Sequence, residues 1–457
     1  MNYPIDKDEI MNATAPVLTS ADVQSTFDMQ SSKQWELRKS TVEQRIARLQ
    51  SLKSAIQSKE QAVMDALYAD LRKDEAGART ELDACYHEID DAIANLAEWT
   101  KSVTVQTSPP FAEASAKMVY EARGIILIFG PWNFPFSLLF QPLVSAIAAG
   151  NCAILKPNEM AAHISVVSAN IVRETFDPAE VAVFEGGVDL ANEMLALPVD
   201  HIFFTGSPAV GKIVMSAAAK NLTSVTLELG GKNPVVVDKN ADIQAAAGNV
   251  AFFRNMNSGQ VCLCPENIWV HEDSKDEFIA VAQGTYQAMF YEDGVLNNDV
   301  QGKIIDERNL ARIKGYLDDA KEKGANVVCG GEVDQNTLSV HPTILTGVPE
   351  NAKILAEEVF GPILSVFTYS DISEVYEALH KQPKPLALYV FSNDDAFVED
   401  VLANTSSGGV TVNGCIMHCA EPNLPFGGVN NSGMGRYHSI HGFKELSHER
   451  AVLSMPG

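Results

Sequence analysis

Cys262 ends the run Asn257-Ser258-Gly259-Gln260-Val261-Cys262. The small and polar residues before it let a loop come close to a ligand. A cysteine attacks only as its thiolate, so a nucleophilic role predicts a local field that lowers its pKa. A small buried hydrophobe is the competing reading. Glu228 closes an apolar strand pattern just before Gly230-Gly231. A carboxylate set against an apolar strand end has a raised pKa and can serve as a base; a satisfied structural glutamate is the alternative. Asn133, in Pro131-Trp132-Asn133-Phe134-Pro135, offers an amide donor in a tight loop. It could stabilise an oxyanion or cap its own turn.

A second set of residues suits a dinucleotide. Phe203-Phe204-Thr205-Gly206-Ser207 ends a strand pattern, and Gly211-Lys212 opens a helix. Backbone N–H groups at such a helix start can hold a pyrophosphate. Gly206 and Gly211 fit the outer glycines of the dinucleotide fingerprint, while Pro208 stands in the middle place. The same stretch fits a nucleoside-triphosphate loop as far as Lys212. It fails at Ile213, where a Ser or Thr would bind magnesium. A plain strand–helix turn without a ligand is the third reading. Lys156 and Glu159, in Lys156-Pro157-Asn158-Glu159, follow another strand end and could hydrogen-bond a ribose diol. A carboxylate there disfavours a 2′-phosphate; solvated surface charge is the other reading. Glu357-Glu358-Val359-Phe360-Gly361-Pro362 joins acid and aromatic beside a turn, and a simple helix end would look the same. Cys415, His418 and Cys419 lack a fourth ligand at a usual spacing, so no metal site is expected.

The elements that must position these residues alternate. Helical spacing over 41–56, 60–72 and 81–99 predicts packing helices with no sign of chemistry. The stretch 102–120, with Pro109-Pro110, is either an extended hairpin arm toward a partner subunit or a surface loop. From 124 onward strands alternate with helices. Strands are expected at 124–129, 152–155, 181–185, 201–204, 225–229, 234–238, 267–271, 326–329 and 363–368. Helices are expected at 135–149, 164–176, 209–220, 242–255, 273–289 and 302–323. Alternation of this kind predicts an α/β fold with a mostly parallel sheet, whose ligands bind at the carboxyl ends of the strands.

The chain has 457 residues, enough for two or three domains. Its formal charge of -25 opposes non-specific contact with nucleic acid or anionic membrane. Seven scattered cysteines imply no disulfide framework and suit a reducing cytosol. Residues 1–8 lack a signal-peptide pattern. The uncharged stretch 124–155 is broken by Pro131, Pro135 and Pro142, so it reads as a buried strand, loop and helix rather than a membrane span.

Taken together, the chain resembles the aldehyde dehydrogenase superfamily along nearly its whole length. The resemblance rests on Pro131–Pro135, Lys156–Glu159, Phe204–Ser207, Glu228-Leu229-Gly230-Gly231-Lys232, Gly259–Cys262, Glu358–Pro362 and Pro425-Phe426-Gly427-Gly428, in the family's order and spacing. The run from Phe204 to Lys212 is most similar to class 3, which includes fatty and aromatic aldehyde dehydrogenases; bacterial coniferyl aldehyde dehydrogenases are similar too. The resemblance implies a Rossmann-type cofactor domain (1–101 and 121–229), an α/β catalytic domain (230–412), and bridging segments (102–120 and 413–457). It implies NAD or NADP as cofactor, and oxidation of an aromatic or medium- to long-chain aldehyde to its acid. Cys262 would attack the aldehyde, and Asn133 with the Cys262 N–H would hold the oxyanion. Glu228 would activate the water that hydrolyses the thioester. Lys156 and Glu159 would take the adenosine ribose, Gly206, Ser207 and Gly211 the pyrophosphate region, Glu358 and Phe360 the nicotinamide half. Phe134 and Phe140 would line an apolar substrate tunnel. Class 3 also implies a homodimer, and the lack of an apolar tail before Gly457 implies a cytoplasmic protein without a membrane anchor. Cys264 could trap Cys262 as a disulfide. A dehydrogenase that passes the acyl group to coenzyme A is a rival that usually lacks the glutamate present at Glu228. A non-enzymatic binding protein and an ATP-dependent kinase are the readings from other classes.

Overall fold

The computed structural model describes residues 18–456; the stretch 1–8, read above for a signal peptide, lies outside them. Four helices come first: α1 (Val23–Leu37), α2 (Val42–Ser58), α3 (Glu60–Leu71) and α4 (Glu75–Trp99). α4 starts earlier than the expected 81 because Asp74 caps it, accepting from Gly77 N at 2.8 Å. β1 (Val103–Val105) and β2 (Ser115–Ala122) form the hairpin arm rather than a surface loop, with Val103 opposite Met118.

The strand–helix alternation follows. It runs β3 (Ile125–Phe129), α5 (Ser137–Ala149), β4 (Cys152–Lys156), α6 (Ala162–Thr175), β5 (Val181–Val183), α7 (Val188–Leu195), β6 (His201–Gly206), α8 (Pro208–Ala218) and β7 (Ser224–Leu229). β3, β4 and β5 are buried on both faces, which is why they read as unbroken apolar runs. A second series then begins with β8 (Asn233–Val237), α9 (Ile243–Asn255), β9 (Pro265–His271), α10 (Lys275–Phe290) and α11 (Glu307–Glu322). It continues with β10 (Asn326–Cys329), β11 (Thr343–Thr346), β12 (Ile363–Tyr369), α12 (Ile372–His380), β13 (Ala387–Phe391), α13 (Asp395–Asn404) and β14 (Gly409–Val412). The chain returns through β15 (Gly433–Met434), α14 (Ser439–Glu445) and β16 (Ser447–Ser454). α11 starts at Glu307 rather than 302 because Gly302, at φ 73, has left helical backbone and Asp306 supplies the cap.

Among the described residues these strands form three sheets of three or more strands, beside two short two-stranded ribbons. A six-stranded sheet has the order β15-β7-β6-β3-β4-β5, parallel except for β15. A seven-stranded sheet has the order β10-β11-β12-β9-β8-β13-β14, parallel except at the β10 edge. A three-stranded antiparallel sheet, β1-β2-β16, joins the hairpin arm to the C-terminal strand. One apolar core runs from α2–α6 through β3 and β4 to α9, α10 and the strands of the seven-stranded sheet. The loops carrying Asn133 and Cys262 therefore meet across packed interior. Among the described residues no helix is long and apolar enough to cross a membrane.

Candidate active site

The Cys262 loop joins α9 to β9 and turns through three left-handed residues, Asn257 (φ 51), Ser258 (φ 55) and Gly259 (φ 74). At Gly259 a side chain is excluded twice over: by the backbone conformation, and by Gly361, whose carbonyl carbon would lie 2.3 Å from an added Cβ. The strained turn is held by side chains. Gln260 Nε2 donates to Asn257 O and Lys303 O, each at 3.0 Å, and Gln260 Oε1 accepts from Ile305 N at 3.0 Å. Ser258 Oγ donates to Gln301 O. Asn233 Nδ2 donates to Cys262 O (2.8 Å) and Cys264 O (3.0 Å), and the Tyr389 hydroxyl donates to Leu263 O (2.5 Å). Strain of this kind persists only where neighbours over-determine it.

Asn133 reaches the same loop. Its Nδ2 donates to Gln260 O at 3.0 Å, and its own carbonyl accepts from Asn257 Nδ2 at 2.9 Å. One amide hydrogen of Asn133 remains for a ligand.

Glu228 lies near the end of β7, 4 % exposed, and neither carboxyl oxygen has a hydrogen-bond partner among the described residues. Burial pushes its carboxyl well above the usual range, Arg436 opposes that shift, and Glu445 adds to it. Burial also pushes the Cys262 thiol well up, and the Glu358 and Glu228 carboxyls add to the effect. The pKa-lowering field expected around Cys262 is absent: its charged neighbours are acids. Cys262 is nonetheless partly exposed. Cys264 is buried, and its thiol donates to Phe253 O at 3.3 Å. Burial raises it to about 12, so the anticipated disulfide with Cys262 meets a thiol that is engaged in the core and both are free.

The loop bearing Glu358 and Phe360 is pinned from the second sheet. Lys232 Nζ donates to Ile354 O (2.7 Å) and Glu357 O (2.9 Å) and pairs with Glu266, which also accepts from Val359 N at 3.2 Å. Arg312 donates to Val359 O at 2.9 Å. Phe360, itself left-handed at φ 49, meets the Trp132 ring edge-on at 5.2 Å. The Glu358 carboxyl lies against Gly230, where an added Cβ would clash with it. Burial and nearby Glu266 raise it to about 8.

The remaining residues stand at the six-stranded sheet. Ser207 caps α8, accepting from Val210 N at 3.4 Å. Gly211 lets α8 close on β7, since a Cβ there would lie 2.8 Å from Leu229. Lys156 Nζ pairs with Glu159 Oε2 at 2.8 Å; the lysine is enclosed and the carboxylate partly open. Thr205 Oγ1 is buried without a partner among the described residues. A capped helix start, a lysine–carboxylate pair and an orphan hydroxyl at strand ends suit the phosphates and ribose of a dinucleotide, so these residues fit one.

Phe134 is partly exposed and borders a cleft with Thr80, Met256 and Asn257. Phe140 does not join it. That side chain is fully enclosed, its ring 4.7 Å from Phe136, because the whole of α5 after its first turn is buried among α2–α4 and the sheet; Phe140 is core, not tunnel wall. His418 bonds Thr411 Oγ1 at 2.9 Å and stacks on Phe426. Sequence reasoning missed the positioning residues Asn233, Asn257, Gln260 and Glu266. Gln260 and Asn257 sit in the quoted Cys262 run; Asn233 and Glu266 carry no local signal.

Comparison with known proteins agrees with the geometry. The aldehyde dehydrogenase family model matches residues 2–452, and the chain belongs to that family. It is 39 % identical to a 4,4'-diaponeurosporen-aldehyde dehydrogenase of Staphylococcus aureus, covering 94 % of this chain and 92 % of that one. It is also 39 % identical to the dimeric NADP-preferring aldehyde dehydrogenase of Rattus norvegicus, covering 90 % and 89 %. A solved structure of Staphylococcus aureus AldH in a substrate-bound state superposes with a TM-score of 0.91 at 37 % identity, over 95 % and 94 % of the two chains. The protein is an NAD(P)-dependent aldehyde dehydrogenase of the class 3-like kind.

Proposed function

We propose that Cys262, Asn133 and Glu228 carry out oxidation of an aldehyde to its free acid. The observation that carries this reading is the Glu228 carboxyl: fully buried, without a hydrogen-bond partner among the described residues, and close enough to Cys262 to perturb it. A buried polar group left unmatched is costly unless it has a use. The Cys262 thiol gives up its proton to solvent at its partly open side, Sγ bonds to the aldehyde carbon, and the carbonyl π pair moves to the oxygen, which becomes an oxyanion. The free amide hydrogen of Asn133 and the Cys262 N–H, which lacks a partner among the described residues, are the donors for it. NAD or NADP, when bound, supplies the hydride acceptor. Cys262 then holds an acyl thioester, and Glu228 takes a proton from the water that attacks it. Lys156 and Glu159 orient the adenosine ribose, α8 with Gly206, Ser207 and Gly211 faces the pyrophosphate, and Glu358 with Phe360 holds the nicotinamide half.

An aromatic or medium- to long-chain aldehyde is the substrate class that the class 3 resemblance suggests, with Phe134, partly exposed next to Asn133, as its contact. The partly open Glu159 supports NAD, while the rat relative's name supports NADP, so both are expected to serve. We infer a homodimer built through the exposed edge strand β1, a cytoplasmic setting suited to seven free cysteines, and a division into cofactor part (1–101, 121–229), catalytic part (230–412) and bridging segments (102–120, 413–457). The test is a panel of short, long, benzylic and cinnamyl aldehydes against NAD and NADP, with Cys262→Ala beside it. Reduced cofactor that forms only with the native thiol supports the reading. Equal turnover in Cys262→Ala refutes it.

A further inference from the structure

Two charged side chains are buried where the mechanism above makes no use of them. Lys73, between α3 and α4, places Nζ 2.6 Å from Glu81 Oε1 on α4, and their side chains are 3 % and 0 % exposed. Burial pushes the Lys73 ammonium down, and Glu81 opposes that shift. An apolar pair of the same volume would usually be no less stable than such an ion pair, so stability alone is a weak account of it.

Its other contacts point in one direction. Glu81 Oε2 accepts from Phe136 N and Ser137 N, both at 3.0 Å, and from Ser137 Oγ at 3.3 Å. Those amides open α5, whose own N-cap residue, Phe136, offers no side-chain acceptor. The carboxylate thus caps α5 from another helix, and a negative charge suits that helix end. Lys73 Nζ stands 3.8 Å from the centre of the Phe134 ring. Asn133 immediately precedes Phe134 and lies three residues before Phe136. The pair therefore grips the loop on the far side of Asn133, while Gln260 and Asn257 hold Asn133 itself.

We propose that Lys73 and Glu81 are positioning residues that set the Asn133 amide against the oxyanion, acting through the loop 133–137. The proposal rests on the oxyanion role of Asn133. Misplacing a catalytic group by about 1 Å can cost on the order of a hundredfold in rate, so a loosened loop should register in the first chemical step.

The experiment measures the pre-steady-state rate of reduced-cofactor formation with benzaldehyde, and the aldehyde KM. The variants are Glu81→Gln and the double replacement Lys73→Met with Glu81→Leu, each with Asn133 intact and with Asn133→Ala. Glu81→Gln keeps an acceptor but strands the Lys73 charge. The apolar double variant removes the charges together, so folding does not depend on an orphaned ion. The expected result is acylation slowed roughly tenfold at unchanged KM, with no further slowing once Asn133 is alanine. Native acylation in the folded apolar variant overturns the proposal. So does equal slowing with and without Asn133, which is what a merely structural anchor would give. If Asn133→Ala alone leaves acylation fast, the oxyanion reading fails, and this single variant separates that failure from failure of the positioning pair.

Discussion

The nucleophile region and the dinucleotide region are built on opposite plans. Around Cys262 the backbone is over-determined: the left-handed turn 257–259 is tied down through Gln260 and the Ser258 hydroxyl, and the carbonyls of residues 262–264 by Asn233 and Tyr389. Glu228 is unmatched among the described residues, and its carboxyl and that of Glu358 add to the burial that pushes the Cys262 thiol up. At the six-stranded sheet the backbone is regular and most of the polar groups are matched: Ser207 caps α8 and Lys156 pairs with Glu159. Glu228, which changes protonation state, is kept unsatisfied inside a rigid frame, while Ser207 and the Lys156–Glu159 pair, which only bind, are satisfied, with Glu159 partly open to solvent.

The largest effect that would break this contrast is at the thiol. Cys262→Ala should lower turnover by ~10⁴-fold or more, as loss of a nucleophile does, measured as kcat for any substrate of the wild type; a drop of only tenfold would move the nucleophile elsewhere. Next, Glu228→Gln should slow hydrolysis of the acyl enzyme by about 10²- to 10⁴-fold, the range for a general base. It should leave a burst of one reduced cofactor per site followed by a slow phase. The pH dependence sharpens the point. Burial raises the Glu228 carboxyl above the ordinary carboxylate range, so its basic form is gained at higher pH than in a free glutamate; hydrolysis in the wild type should climb with pH, and in Glu228→Gln it should be flat. Asn133→Ala should slow acylation on the order of a hundredfold, the value of one oxyanion donor, with cofactor affinity unchanged. At the nicotinamide end, Glu358 is held near 8, so its anion forms as pH rises through that value. Cofactor Kd should tighten across that window and lose the dependence in Glu358→Gln, as titration calorimetry would read. The smallest effect belongs to the satisfied region. Ser207→Ala should remove about 1 kcal/mol of helix capping and weaken cofactor binding only a few-fold; a loss of turnover there would erase the contrast.

Much of this was legible in the sequence because the six-stranded sheet is made of unbroken apolar runs, and the motif residues cluster at its strand ends. β11 and β14 lie outside the expected strands because each has four residues and mixes threonine with its apolar residues; β13 is an apolar run like β3 and was within reach of the same reading. Phe140 was expected on the substrate side from the resemblance alone; its own helix is buried all round and shows no preferred face. The burial and the acids that push the Cys262 thiol up, Glu358 and Glu228, lie far from it in sequence, so the local run around Cys262 does not show them. Lys73 and Glu81 looked like ordinary polar positions of packing helices; their meaning comes from contacts with residues more than fifty positions away.

The most direct test of the central claim is intact-protein mass measurement of Glu228→Gln, quenched during the slow phase with benzaldehyde and oxidised cofactor. An acyl adduct on Cys262, one per chain and discharged by hydroxylamine, is the predicted result. Reduced cofactor formed in the burst with no acyl mass on Cys262 would contradict it.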